Sequence, residues 1–376
     1  MEFTVDKNTF ADCVAWAAKV LPSRPDAPIL SGIKIETFED NTIQVSAFNY
    51  EVSAREMITG EVEETGEILV AGKLLADITR SLPGAVVHCK TDGGRLEIKS
   101  GNAKYSLQEM PLSDYPKLPI VPESIGSLPA DDFKSGIQKV AFAADHTLGN
   151  NQSLSGIKLE FLEDQLRLIA TDSRRLATFG LPWGGDQLQS EAPVVIKAKT
   201  VLDVARNLAP DSDTVEIGLK TDSELDTISF TSGSRITTSR LIDGGYPPNV
   251  MSLFADSYPI KVAVGKEALI NALKRVALVS ANQAVLKFRE GEVELEAGQG
   301  DEAQAGEVIP CELTGEELNV IVQPAYLLDG LGAIDQSFSS LQFTADLNRI
   351  ELGGQNSIES EKSGEFRYIF VPIRLR

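Results

Sequence analysis

Residues 31–40 read SGIKIETFED, and residues 155–164 read SGIKLEFLED. A weaker third copy, VLKFREGEVE, occupies residues 285–294 and places Lys287 beside Lys34 and Lys158 in the alignment. The features around each copy keep one order. Upstream lies an amphipathic run with helical spacing: Phe10, Val14, Ala17, Ala18 and Leu21; then Phe133, Ile137, Val140, Ala141 and Ala144; then Leu269, Leu273, Val276 and Ala277. Asp6 is a cap for the first run, Asp131 and Asp132 open the second, and Gly265 precedes the third. Downstream, a short strand runs into a second helix in ILVAGKLLADITRSLP, VVIKAKTVLDVARNLAP and VIVQPAYLLDGL, and Pro83 and Pro210 stop the first two.

Between these helices, apolar and polar residues alternate, as in half-buried antiparallel strands: Ile43, Val45 and Ala47; Leu166, Leu168 and Ala170; Val293 and Leu295. DYP at 114–116 and GYP at 245–247 close the first two units alike. One decapeptide can recur by chance; a matched order of helix, decapeptide, strand and helix points to duplication. The expected fold is α+β, with three similar domains of two helices and about eight short antiparallel strands each. The boundaries fall near the proline-rich stretch 116–129 and near Pro259, giving domains 1–122, 128–250 and 258–376.

The chain has 376 residues, 42% of them apolar and 24% charged, with a net charge of −20. This composition supports real cores and argues against disorder. No apolar run is long enough for a bilayer, and MEFTVDKNTF carries no secretory signal pattern. Cys13, Cys89 and Cys311 are odd in number and widely spaced, which fits a reducing cytosol better than a disulfide framework.

Much catalytic chemistry lacks the residues it needs. His88 lies in the strand-like run VVHCK and His146 in a polar loop, and neither belongs to an HExxH or CxxC arrangement. There is no GxSxG elbow, no GxxxxGK[ST] loop and no GxGxxG after a strand. Residues 298–302 (GQGDE) lack the ligand spacing of an EF-hand, and the sequon at 151–153 is a three-residue match of the kind that arises by chance. No cofactor or metal is expected. Paired carboxylates among 55 acids leave a hydrolase on an α+β scaffold as a formal rival.

The charge is unevenly spread. The six expected helices, 7–20, 72–82, 131–145, 197–208, 265–279 and 325–336, balance at +3, while the rest of the chain balances at −23. Solvated helix faces commonly carry Lys and Arg. A surface of helices facing a polyanion, with acidic sheets turned away, is the functional alternative.

Three further stretches, LPSRPDAPIL at 21–30, ATDSRRLA at 170–177 and VPIRL at 371–375, join the repeat and the charge layout. Together these resemble the bacterial sliding clamp, the beta subunit of the replicative DNA polymerase, collinearly over nearly the whole chain. The resemblance implies the DNA clamp fold and a head-to-tail homodimer closing into a ring. It implies a non-enzymatic processivity factor that encircles duplex DNA and tethers the replicative polymerase, the clamp loader and repair proteins through short linear peptides. By matching position, DNA contacts fall on Arg24, Lys73, Arg80, Lys199 and Arg206. The peptide groove falls on Leu154, Thr171, Arg175, Leu176, Pro247, Tyr326, Val371, Pro372, Ile373 and Arg374. The dimer interface falls on Lys104, Tyr105 and Leu107 at one end and on Leu278 and Val279 at the other, with Lys99 near the first set and Asp301 and Glu302 near the second. Core packing is the competing role for Leu107, Leu154, Leu176 and Leu278. The sixth helix has no basic residue, only Asp329 and Asp335. Ser173, Arg174, Met251 and an additional Arg376 depart from the family pattern, which leaves a clamp-like paralogue with altered partner preference as the closest alternative.

Overall fold

A computed structural model describes the chain except residues 146, 148–151, 188–192, 222–224, 299–302, 361, 363, 365 and 375–376. The first third holds β1 (Glu2–Asp6), α1 (Lys7–Ala17), β2 (Gly32–Thr37), β3 (Thr42–Phe48), β4 (Val52–Thr59), β5 (Glu61–Glu64), β6 (Gly66–Ala71), α2 (Gly72–Ser81), β7 (Val86–Asp92), β8 (Arg95–Ser100) and β9 (Ala103–Gln108). The second holds β10 (Ser124–Pro129), α3 (Ala130–Ala141), β11 (Gly156–Phe161), β12 (Gln165–Thr171), β13 (Arg175–Pro182), β14 (Val194–Lys197), α4 (Ala198–Arg206), β15 (Thr214–Lys220), β16 (Thr227–Ser232) and β17 (Arg235–Arg240). The last holds β18 (Ile260–Gly265), α5 (Lys266–Val276), β19 (Ala284–Arg289), β20 (Glu292–Ala297), β21 (Ala305–Thr314), β22 (Leu318–Val322), α6 (Pro324–Gly332), β23 (Phe338–Phe343), β24 (Ile350–Gln355) and β25 (Phe366–Phe370).

The order of helices and strands is the one the repeat predicts, though the helices are shorter than their apolar runs. α1 gives way to a tighter turn at Ala18–Val20, α3 stops at Ala141, and α5 stops at Val276. The Asp6 carboxylate accepts from the Asn8 and Thr9 amides at 2.9 Å each, closing the N-terminus of α1. Asp131 and Asp132 lie inside the first turn of α3, where carboxylates oppose the positive end of the helix dipole.

The chain divides into two compact units, residues 1–131 with 203–241, and residues 132–202 with 242–376. The first unit contains a five-stranded sheet, β5-β1-β7-β8-β9, and an eight-stranded sheet, β10-β15-β16-β17-β4-β3-β2-β6. Its core gathers Phe3, Phe10, Val14, Ile33, Ile43, Leu75 and Ile98, all fully buried, from both sheets and from α1 and α2. The second unit contains one twelve-stranded sheet, β14-β11-β12-β13-β25-β24-β23-β18-β21-β20-β19-β22.

One pairing rule recurs. β2 lies between β3 and β6, β11 between β12 and β14, and β19 between β20 and β22. The third copy is offset from the sequence alignment by two residues. Lys158 faces Ile169 and Val195, and the position facing the corresponding Glu296 and Ile321 is Val285, not Lys287. A two-residue slip keeps every side chain on its face, so alternation could not reveal it. Lys287 instead takes the place of Glu160: the opposed pair Glu160–Arg167 becomes Lys287–Glu294, with the signs exchanged.

Candidate functional site

Three groups of residues proposed from sequence can be followed. The groove group lies wholly in the second unit. Between β12 and β13 the chain turns through Ser173 at φ 75°, a left-handed conformation uncommon outside glycine. The Asp172 carboxylate holds this turn by accepting from the Arg174 and Arg175 amides at 2.9 and 3.0 Å. Thr171 Oγ1 donates to the Arg175 carbonyl at 2.6 Å and accepts from the Ser173 amide at 3.1 Å. Arg175 then reaches Asp172 at 2.9 Å and Asp329 of α6 at 2.6 Å, with its guanidinium 4.8 Å from the Tyr326 ring centre. The C-terminal segment is fastened beside it. The Val371 amide donates to the Arg174 carbonyl at 3.0 Å, the Ile373 amide to the Ile321 carbonyl at 2.7 Å, and Arg374 to Asn348.

Val371 and Ile373 thus stay 41% and 36% exposed although their backbone is tied down. Apolar side chains held open to solvent in this way suit ligand capture better than core formation. Pro247, Tyr326 and Pro372 are half-buried. Leu154 and Leu176 are buried; Leu176 packs with Tyr246, Val250 and Ile369, with Met251 at the edge of the same cluster. Both leucines are too buried to offer accessible walls. Sequence reading missed Asp172 and Asp329, which orient Arg175. The Asp three residues before an Arg was the available signal for the first; nothing local announced the second.

Asp329 lies in α6 and Asp335 three residues past its end, so the helix is shorter than the expected 325–336. Asp329 pairs with Arg175 and Asp335 with Lys139. Both carboxylates are therefore compensated by cations from the preceding repeat.

Of the cations proposed for DNA, Arg24 lies in the exposed loop after α1, Lys73 and Arg80 on α2, and Lys199 and Arg206 on α4; all are exposed. Each helix pair is seven residues apart and shares one helix side. None of the five forms an ion pair among the described residues. The strand lysines differ: Lys34 meets Glu36 and Glu67 at 3.0 and 2.6 Å, Lys158 meets Glu160 at 2.7 Å, and Lys287 meets Glu294 and Glu296 at 3.2 and 2.5 Å.

At the proposed interface ends, Lys104 is exposed and pairs with Glu97 at 3.1 Å, and Tyr105 rests half-buried on the core. Leu107 is 2% exposed within that core, so it supports β9 from behind and offers no surface. Leu278, just beyond α5, is 87% exposed, with Val279 half-buried beside it. Asp301 and Glu302 lie outside the described residues, as do His146 and Asn151. His88 lies in β7, where Glu2 is 3.1 Å from its Nε2 and the Thr4 hydroxyl 3.1 Å from its Nδ1. No helix among the described residues is long and apolar enough to cross a membrane.

Comparison with known proteins agrees over the full length. Residues 1–119, 127–248 and 251–363 match the N-terminal, central and C-terminal domains of the DNA polymerase III beta subunit. The beta sliding clamp of Streptomyces coelicolor is 35% identical, covering 100% of both chains. The beta sliding clamp homolog GriR of Streptomyces muensis is 34% identical, covering 100% of this chain and 99% of its own. The crystal structure of a DnaN sliding clamp from Bartonella birtlesii bound to griselimycin superposes with a TM-score of 0.89 at 26% identity, covering 100% of both chains. Repeat, strand order and relatives agree, and this chain belongs to the family of bacterial DNA polymerase III beta subunits, the beta sliding clamps.

Proposed function

We propose that the protein is a cytoplasmic, non-enzymatic DNA sliding clamp built of three domains, 1–122, 128–250 and 258–376. Two copies join head to tail around duplex DNA and tether the replicative polymerase, the clamp loader and repair proteins through short peptides. The observation that carries this reading is the contrast in charge compensation: in an acidic protein, Arg24, Lys73, Arg80, Lys199 and Arg206 remain exposed and unpaired among the described residues, while the repeat lysines Lys34, Lys158 and Lys287 on the strands meet neighbouring carboxylates. Uncompensated cations on helix faces bind phosphate without regard to sequence, as a ring that moves along DNA requires.

The strand order supports closure. β4 pairs with β17, the last strand of the next repeat, and β13 pairs with β25 in the same way. The counterpart of β4 and β13 in the third repeat is the first half of β21, and the counterpart of β17 and β25 in the first repeat is β9. Both have one edge without a strand partner among the described residues. The same pairing between two chains completes the series, with Lys104 and Tyr105 on one edge and the exposed Leu278 near the other.

The groove of Thr171, Arg175, Leu176, Pro247, Tyr326 and Val371–Arg374 is read as the peptide site, with Leu154 in its floor. Ser173, Arg174 and Met251 border or enter this region, which favours a distinct peptide preference as the second reading. Retention on circular against linearised DNA, measured as a function of salt, tests the main proposal. Replacing Arg24, Lys73 and Arg206 with Ala should flatten the log–log salt dependence by about one unit for each phosphate no longer neutralised. An unchanged slope removes these residues from the interface, and equal retention on linear DNA removes the ring.

A further inference from the structure

The turn that builds the groove in the second unit has a counterpart in the first. Tyr50 has φ 70° where Ser173 has φ 75°. Asn49 holds its turn by accepting from the Glu51 and Val52 amides at 3.0 and 2.8 Å, as Asp172 does for Arg174 and Arg175. The Arg240 amide donates to the Glu51 carbonyl at 2.9 Å, as the Val371 amide does to Arg174 at 3.0 Å. The buried Tyr115, followed by Pro116, takes the place of Tyr246 and Pro247.

Beside this turn lies a pocket of about 520 Å³, within the size range of small-ligand and peptide-anchor sites. Tyr50, Ile120 and Leu225 line it while remaining 45%, 78% and 50% exposed. Three large apolar side chains gathered on one opening form a patch of the kind that marks an interaction site. Thr238 lies in the wall, 1% exposed, and its hydroxyl has no hydrogen-bond partner among the described residues. Lys117, Lys220 and Arg240 also line the pocket, against one carboxylate among the described residues, Glu51. Asp222 and Glu224, neighbours of Leu225 in sequence, lie outside the described residues.

We propose that this pocket is a second peptide-docking site, which takes an extended segment of a partner protein carrying a bulky apolar residue between acidic residues. The apolar residue enters between Tyr50, Ile120 and Leu225, and the three cations select the flanking carboxylates. The choice of a peptide as ligand rests on the groove reading above; the pocket itself does not.

The test uses a fluorescein-labelled decapeptide with a Leu-Phe pair between glutamates, titrated by anisotropy into the full chain, into a chain lacking residues 371–376, and into that truncated chain carrying Ile120→Glu and Leu225→Glu. The truncated chain should still bind saturably, and the double substitution should weaken this binding by about tenfold or more. Adding Lys117→Glu and Arg240→Glu to the truncated chain should weaken this acidic peptide but not its glutamine analogue. Absence of saturable binding to the truncated chain, or binding indifferent to Ile120→Glu and Leu225→Glu, overturns the proposal. A change in sedimentation with the double substitution would identify a second copy of the chain as the occupant and overturn it equally. Failure of the first groove would appear separately, as an affinity that truncation leaves unchanged.

Discussion

The junctions β4–β17 and β13–β25 share a backbone plan and differ in chemistry. In the first, Arg235 faces Glu56 across the ladder, with Nε 3.1 Å from Oε1 and both side chains 8% exposed. Arg235 also bonds Asp12 and the carbonyls of Asn207 and Leu208, and it covers the Trp16 ring at 5.4 Å. In the second, the corresponding opposed pair is Phe179 and Phe366, and Tyr368 stacks between Phe366 and Phe370 at 6.4 and 5.5 Å. The buried carboxylate of this unit lies elsewhere, at Glu351 on β24, held by Arg367 at 2.9 Å and by Lys362 and Tyr258. The ladder therefore sets register in both, while the side chains decide how the junction fails. Apolar packing weakens in proportion to the volume removed; a buried charge left alone is costly at once.

Three substitutions sharpen this contrast. Arg235→Leu strands Glu56 and should destabilise the first unit by about 3–5 kcal/mol. Glu56→Phe with Arg235→Phe copies the other junction and should recover most of that stability. Glu56 Oε2 already has no partner among the described residues, so the pair is imperfectly satisfied. Calorimetry of both variants decides; a double variant no better than Arg235→Leu would mean that the charges specify the junction.

Next in size is the acid response of Glu351. Burial alone would raise its pKa, but the donors Arg367, Lys362 and Tyr258 hold it below the usual carboxylate range. A lowered folded pKa gives stability that is complete above the unfolded value of about 4.3 and is lost as pH falls through the folded one. Glu351→Gln should weaken the unit by about 2 kcal/mol near neutrality and blunt the fall in Tm as the pH drops below about 4.3. An undiminished acid response would place the titrating group elsewhere.

The smallest effect should follow Lys287→Glu with Glu294→Lys, which restores the polarity of Glu160 and Arg167. The pair lies on an open strand face, where such contacts contribute little, and the melting midpoint should not move measurably. A clear shift would show that Glu296, the second partner of Lys287, makes the sign matter.

Much of this was legible in the chain because duplication compares the protein with itself. The order of helix, decapeptide, strand and helix matched the order of elements, and the charge tally singled out the helices. The groove residues came through family resemblance, since Thr171 and Arg175 are far in sequence from the C-terminal segment and meet it through the β13–β25 ladder. The register of the third copy stayed hidden because period-two patterning is blind to a two-residue slip. The kinship of Tyr50 with Ser173 stayed hidden as well: the two share a backbone angle but differ in side-chain size and apolar surface. Leu107 reads equally well as core or as surface until the strand face it occupies is known.

The edges of β9 and of the first half of β21 that have no strand partner among the described residues have a consequence for assembly. They are different surfaces of one chain, so joining one copy's β9 to another's β21 always leaves one of each still open at the two ends. Such a bond halts growth only when the accumulated rotation brings the last edge back to the first. A substitution that alters strand twist near either edge would turn a self-limiting pair into a growing fibre, visible as length-dependent light scattering.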